Sequence, residues 1–201
     1  YRSLVSQLYH GERATMAMCD ATQRAIPDAA ARAFVAQQAA DESRHATAYA
    51  RYLDALGGVA PIDRAVEAAF GKALAWDGPW QGLVIAANVI LESETVRLLQ
   101  HSPNIFSCPL LRDINALVAR DEARHLAFGR LYLTPHIAEL SDAERVRIYD
   151  WLYEMWHDCV YAWRFPVSLL TWVNRPALAR LWQRHQRALA EIGLIARGPR
   201  R

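Results

Sequence analysis

Lysine is nearly missing from this 201-residue chain: Lys72 stands alone, and arginine supplies the rest of the 23 basic side chains. Set against 21 acidic residues, they leave a formal charge of only +2. No positive surplus remains to neutralise a phosphate backbone, so no nucleic-acid partner is expected. Cysteine is scarce as well. Cys19, Cys108 and Cys159 are odd in number, far apart and without a Cys-x-x-Cys pair. That argues against both a disulfide framework and a thiolate metal site, and a cytoplasmic location is expected. Long hydrophobic runs are missing too. The longest nearly uncharged stretch, residues 82–91, has about half the ~20 residues needed to cross a bilayer, so no membrane association is expected. What remains is a folding composition, 53% hydrophobic and 22% charged, which excludes intrinsic disorder.

No stretch alternates as a strand would, and the apolar residues recur every three or four positions, so the expected class is all-α. A first helix over about residues 3–27 carries Val5, Leu8, Met16 and Cys19. A second starts at Asp28, an N-cap residue type, carries Val35, Ala39, Tyr49 and Leu56, and stops at Gly57-Gly58. Residues 61–75 form an amphipathic connector. A third helix over about 79–101 has Ile85, Val89, Val96 and Leu99 on its stripe and ends at the Ser102-Pro103-Asn104 turn. A fourth covers about 109–133 and stops before Pro135, and a fifth opens on the capping box Ser141-Asp142-Ala143-Glu144 and reaches about residue 164. Beyond Pro166 and Pro176, shorter helical pieces are expected.

Carboxylates sit where these stripes should be apolar. Glu12 falls between Leu8 and Met16, Glu42 and His45 share the stripe of Val35, Ala39 and Tyr49, Glu92 falls between Val89 and Val96, and Glu122 with His125 follows Val118. Buried carboxylates are heavily penalised unless they are protonated, paired with cations or bound to metal. Glu-x-x-His places both side chains on one helix face, where they can hold one metal or flank two. Four glutamates carry four negative charges, which two divalent cations cancel.

Spacing brings these residues level. Glu12 and Glu42 each lie 15 residues from Pro27, about 22 Å along an antiparallel hairpin at ~1.5 Å per residue. Glu92 and Glu122 are likewise 30 residues apart, centred on a second turn near residue 107. The two hairpins repeat at an offset of 80 residues, which relates Glu12 to Glu92, Glu42 to Glu122 and His45 to His125. The repeat selects Glu92 over Glu94, which points to solvent or a neighbouring helix. It extends to the strings Asp41-Glu42-Ser43-Arg44-His45 and Asp121-Glu122-Ala123-Arg124-His125. The third Glu-x-x-His pair, Glu154 and His157, lies opposite the stripe Ile148, Trp151, Met155 and Cys159 and has no counterpart at that offset. It reads as a solvated face.

One Glu, then Glu-x-x-His, then one Glu, then Glu-x-x-His on four successive helices resembles the ferritin-like di-iron carboxylate superfamily over residues 1–133. The strings His10-Gly11-Glu12, Ile90-Leu91-Glu92-Ser93 and residues 121–129 are similar to those around the ligands of aldehyde-deformylating oxygenases. The duplicated Asp-Glu-x-Arg-His is similar to bacterial multicomponent monooxygenase hydroxylases, which are much longer chains. The Gly-Glu start and short length resemble demethoxyubiquinone hydroxylases.

The resemblance implies a ferritin-like four-helix bundle with additional C-terminal helices. Residues 1–201 would form a single domain, 1–133 binding metal and the Trp-rich 134–201 packing on it. It implies Glu12, Glu42, His45, Glu92, Glu122 and His125 as ligands of two Fe ions, with Glu42 and Glu122 bridging; a Mn/Fe pair suits the same donors. Asp41 and Asp121 would each accept the other imidazole N–H of the histidine on the partner helix. Tyr49 takes the place of the radical tyrosine in ribonucleotide reductase small subunits, or is an ordinary core tyrosine. Val96 stands where multicomponent hydroxylases carry a threonine, with Thr95 beside it. His10 is either a base near the ligands or a surface histidine. Trp151, Trp156 and Trp163 mark a fifth helix packing on the bundle, or else wall an apolar substrate pocket or a homodimer surface.

The expected function is that of an O2-dependent non-haem di-iron oxidase or oxygenase, with O2 as co-substrate and a small apolar organic substrate beside Tyr49, Thr95 and Val96. No flavin, NAD or iron–sulfur motif occurs, so a separate ferredoxin or reductase is the expected electron donor. The alternatives are a ferroxidase or iron-storage protein, and a radical-generating subunit using Tyr49.

Overall fold

A computed structural model describes residues 1–164 and 168–196 of the chain, with side chains over 1–158 and 178–196. The sequence expectations for the side chains of Cys159, Trp163, Pro166, Trp172 and Pro176 lie outside the described residues. The described chain is helical throughout and contains no strand. No described helix is long and apolar enough to cross a membrane.

The first helix, α1 (Arg2–Ala25), turns through Ile26-Pro27-Asp28 into α2 (Ala29–Asp54). Asp28 caps α2 by accepting from the Ala31 amide at 2.6 Å, and Arg32 donates to the Ile26 and Pro27 carbonyls, closing the turn. The hairpin's far end closes where α2 stops. Gly57 and Gly58 both adopt φ +89°, a left-handed conformation that only glycine takes without strain, and the Gly58 amide returns to the Leu53 carbonyl at 2.8 Å. The expected connector contains α3 (Arg64–Leu74), capped by Asp63 and packed on α7 (Asp142–Arg164).

The third long element is one continuous rod in three parts: α4 (Trp80–Val84), a π-helical stretch (Ile85–Leu91) and α5 (Glu92–Ile105). The period of the sequence suggests an ordinary α-helix here; the structure widens it just before Glu92. Ile85 to Ile90 are buried on every side, so this stretch has no solvent face and runs along the axis of the larger core.

Two expected stops are passed. α5 runs through Pro103 to Ile105 rather than ending at Ser102-Pro103-Asn104, and α6 (Pro109–Ile137) runs through Pro135. Each proline lies two residues before its helix end and is exposed. Pro135 deletes an i→i−4 bond to the carbonyl of Leu131, which is exposed and open to water, whereas Pro103 deletes one to the carbonyl of Leu99, which is buried. The expected capping box forms, with Ser141 and Glu144 exchanging backbone-to-side-chain bonds at 2.8 and 3.3 Å. The last helix, α8 (Ser168–Glu191), is one element rather than short pieces.

α1 packs along α2 and α5 along α6, while α7 and α8 close over α3 and the π stretch. Trp156 and Trp182 are buried in the core shared with these helices, and Trp151 stacks on Trp76 at 4.2 Å. Trp76 donates its indole N–H to the Pro79 carbonyl and lies so close to Gly78 and Gly82 that a Cβ at either would collide with its ring. The described tryptophans therefore pack the later helices onto the earlier ones.

Candidate metal centre

Four helices each deliver carboxylate or imidazole atoms to one buried point. Glu12, Glu42, His45 and Glu122 place one ligand atom each within 4.8 Å of one another, and so do Glu42, Glu92, Glu122 and His125. All six residues are buried, none more than 4% exposed. The two groups overlap in Glu42 and Glu122, the arrangement in which two carboxylates serve two adjacent cations.

The imidazoles define which nitrogen faces the site. His45 Nδ1 lies 3.1 to 3.4 Å from oxygens of Glu42, Glu122 and Glu12. His125 Nδ1 lies 2.8 to 3.6 Å from Glu122, Glu42 and Glu92. The outer nitrogens cross between helices: His45 Nε2 meets Asp121 at 3.3 Å, and His125 Nε2 meets Asp41 at 3.2 Å. A carboxylate on Nε2 holds the proton there and directs the Nδ1 lone pair at the centre.

Behind the aspartates stand Arg44 and Arg124. Each bonds both Asp41 and Asp121, at 2.5 to 3.2 Å, and each is more than half exposed. Burial alone would raise the Asp41 carboxyl, but hydrogen bonds from Arg44, His125 and Gln37 outweigh it and hold the group below its usual range. The duplicated string thus builds a closed ring of two aspartates and two arginines that fixes both histidines. Its arginines went unassigned in the sequence, although their repetition at the 80-residue offset was visible.

Gln38 and Asn88 are further participants that the ligand motif did not reveal. Gln38 Nε2 donates to Glu92 at 2.9 Å and Glu42 at 3.3 Å. Asn88 Nδ2 in turn donates to Gln38 at 2.7 Å and to the His125 carbonyl at 3.3 Å. Asn88 reaches that position because Gly129 leaves room: a Cβ there would lie 2.4 Å from the Asn88 Cβ. The available signal was a polar residue on an apolar stripe one turn before a glutamate.

Electrostatics split the six groups. Burial raises Glu12 and Glu92 well above the usual carboxylate range, and the charges of Glu42 and Glu122 push the same way. Burial also opposes ionisation of Glu42 and Glu122, but hydrogen bonds from both histidines prevail, lowering Glu42 and holding Glu122 at about 2. Burial lowers the imidazoles, yet the surrounding carboxylates reverse that, raising His45 strongly and His125 to about 12. All these shifts run toward protons on the imidazoles and on Glu12 and Glu92, the direction that balances the buried charge as a pair of divalent cations would. The donor set, oxygen-rich with one imidazole per group, fits Fe(II) or Mn(II).

A cavity of about 130 Å³ opens beside the cluster, with Glu12, Glu92 and Glu122 in its wall. The rest is mostly apolar: Leu8, Val66, Phe70, Leu91, Leu98 and Trp156. Thr95 lines it, but Val96 and Tyr49 do not. Tyr49 is fully buried and donates its hydroxyl to Asn115 at 3.0 Å. His10 is half-buried and bonded to the Ala60 carbonyl at 2.8 Å. Glu94 also lines the cavity, its carboxylate held by Arg97 of the same helix and by Trp156 and His185 of the neighbouring ones. Glu154 is exposed, and His157 lies beside Asp158, away from the cluster.

No protein-family model matches the chain, and no curated protein matches it.

Proposed function

We propose that the chain is a ferritin-like four-helix-bundle protein, formed by α1, α2, the α4–α5 rod and α6. In this reading it binds two iron ions and works as an O2-dependent oxidase or oxygenase on a small apolar organic substrate. The observation that carries the reading is the pair of overlapping buried clusters, sharing Glu42 and Glu122, at the wall of an apolar cavity. Glu12 and His45 would complete one metal's ligands, and Glu92 and His125 the other's. Bound ferrous ions would supply electrons and open coordination positions for reducing O2.

The protein's own residues do the rest. Asp121 and Asp41 keep the Nδ1 lone pairs of His45 and His125 turned inward, and Gln38 holds Glu42 and Glu92 in place. The apolar wall excludes water and takes hydrocarbon surface. At about 130 Å³ the cavity is comparable to the ~150 Å³ apolar cavity that accepts benzene in another protein, so the reading favours a ligand of that order. Thr95 is a polar group on this wall where a proton can be exchanged. A separate ferredoxin or reductase would provide further electrons.

Iron storage is disfavoured by the mostly apolar cavity beside the cluster, which suits an organic substrate rather than a store of hydrated iron. A radical role for Tyr49 is disfavoured by its partner. Oxidising a phenol requires loss of its proton, and the Asn115 amide oxygen that receives the hydrogen bond is a poor base.

The test is anaerobic loading with Fe(II) followed by O2 uptake with and without benzene-sized hydrocarbons and aldehydes. Two irons per chain and saturable, substrate-stimulated O2 uptake are expected. Mineralisation of hundreds of irons, or O2 uptake indifferent to every apolar compound, would contradict the reading.

A further inference from the structure

Eight glycines fall among the described residues, and the fold accounts for six of them. Gly57, Gly58 and Gly193 take positive φ, while a Cβ on Gly78, Gly82 or Gly129 would collide with Trp76 or Asn88. Gly11 and Gly71 are left. Both lie inside helices, where glycine is the poorest residue apart from proline, and a Cβ on either would meet nothing within 4 Å. Their surroundings separate them. Gly71 is exposed on α3, whereas Gly11 sits near the middle of α1 in the wall of the cavity beside the metal cluster.

The α1 side of that wall is one stripe: Gln7, Leu8, Gly11, Glu12 and Thr15. Gly11 lies three or four residues from Gln7, Leu8 and Thr15, at the centre of the stripe, so a side chain there would point into the cavity. Thr15 donates its hydroxyl to the Gly11 carbonyl at 3.1 Å, which spends that donor inside the helix. The internal repeat supplies a comparison. At the 80-residue offset Gly11 corresponds to Leu91 and Thr15 to Thr95, and all four line the cavity. Both halves thus keep the threonine and the glutamate ligand, but the residue before the glutamate is leucine in one and bare backbone in the other. A side chain at that place is compatible with the motif, and its omission at Gly11 leaves room beside Glu12.

We propose that Gly11 is the specificity-determining residue of the cavity: by carrying no side chain it admits an organic ligand with the bulk of a benzene ring against the α1 backbone, next to Glu12. The inference rests on the dimetal reading above, which makes that ligand the substrate. α1 gives up helix stability for the room, as functional sites commonly do. Alanine would favour the helix and remove the space of one methyl group. Leucine, the residue at the counterpart position, is four carbons larger than glycine and would take the space that a six-carbon ring needs in a cavity of about 130 Å³. The opposite wall, with Val66 and Phe70 of α3, Leu98 of α5 and Trp156 of α7, supplies the apolar contact for such a ligand.

The experiment compares the full chain with Gly11→Ala, Gly11→Leu and Gly71→Ala. Unfolding in denaturant is followed on the metal-free proteins, and binding of benzene and toluene is measured by calorimetry on the anaerobic Mn(II)-loaded ones. Gly11→Ala should lower the unfolding equilibrium constant about fourfold and weaken toluene about fourfold more than benzene, the worth of one methyl group. Gly11→Leu should weaken both ligands by about tenfold or more. Gly71→Ala should show the gain in stability with binding unchanged. Two Mn(II) should still bind in every variant, which separates lost room from a displaced Glu12. Benzene and toluene bound by Gly11→Leu as by the unaltered chain, or a Gly11→Ala less stable than it, would overturn the role of Gly11 and leave the metal centre standing. So would an unaltered chain that takes up two Mn(II) but neither hydrocarbon. An unaltered chain that takes up no Mn(II) would overturn the dimetal reading and this inference with it.

Discussion

Loading the centre with two divalent cations should drive off about four protons. In the metal-free cluster burial favours a proton on each of Glu12 and Glu92 and the surrounding carboxylates favour one more on each of His45 and His125, while hydrogen bonds from the histidines favour the ionised forms of Glu42 and Glu122. Two imidazoliums then balance two carboxylates. Ligation requires neutral imidazoles and ionised carboxylates, so all four protons must leave, and the four positive charges of the cations meet four carboxylates. Either way the buried site stays neutral, which desolvation demands. The apparent binding constant for the pair should therefore rise by about four powers of ten per pH unit near neutrality, about two per metal. Anaerobic Mn(II) titration in buffers of different ionisation enthalpy reads the protons directly. Release of one proton or fewer per metal pair, or affinity unchanged between about pH 6 and pH 8, would refute the charge assignment.

Metal-free stability should follow the same groups: raised folded pKa values stabilise below the ordinary values of 4.5 for Glu12 and Glu92 and 6.5 for the histidines, and that stability is lost as pH rises. Melting of the metal-free chain should accordingly fall from about pH 5 to pH 8, while the Mn(II)-loaded chain stays nearly level. Glu42→Ala or Glu122→Ala should abolish binding of both metals, whereas Glu12→Ala or Glu92→Ala should leave about one; equal stoichiometry in all four would argue against shared carboxylates. Asp41→Asn and Asp121→Asn should weaken metal binding by about 10- to 100-fold with the helical content intact, measured by competition with a chelator. Gly129→Ala forces a Cβ to 2.4 Å from Asn88 and should cost about 1–3 kcal/mol in denaturant unfolding; an unchanged midpoint would show that the helices separate freely.

Much of the centre was legible because its constraints are local. Glu-x-x-His fixes two side chains on one face whatever lies around it, and equal distances from the Pro27 turn set Glu12 and Glu42 level. The crossing of His45 to Asp121 and His125 to Asp41 was also readable, since the string repeats whole. The features missed depend on tertiary contact. The widening of Ile85–Leu91 leaves no mark in an apolar run, Gln38 acts only because α5 lies opposite it, and the room left by Gly129 has meaning only beside Asn88. The prolines misled for a related reason: Pro103 and Pro135 read as stops in isolation, but each sits two residues before a helix end, where the ladder has almost run out.

The most direct measurement is X-ray anomalous scattering from crystals of the chain grown or soaked anaerobically with Mn(II). The account expects two adjacent peaks, both touched by Glu42 and Glu122, one flanked by Glu12 and His45 and the other by Glu92 and His125. A single peak, or two peaks elsewhere with the six side chains still bonded to each other, would contradict it.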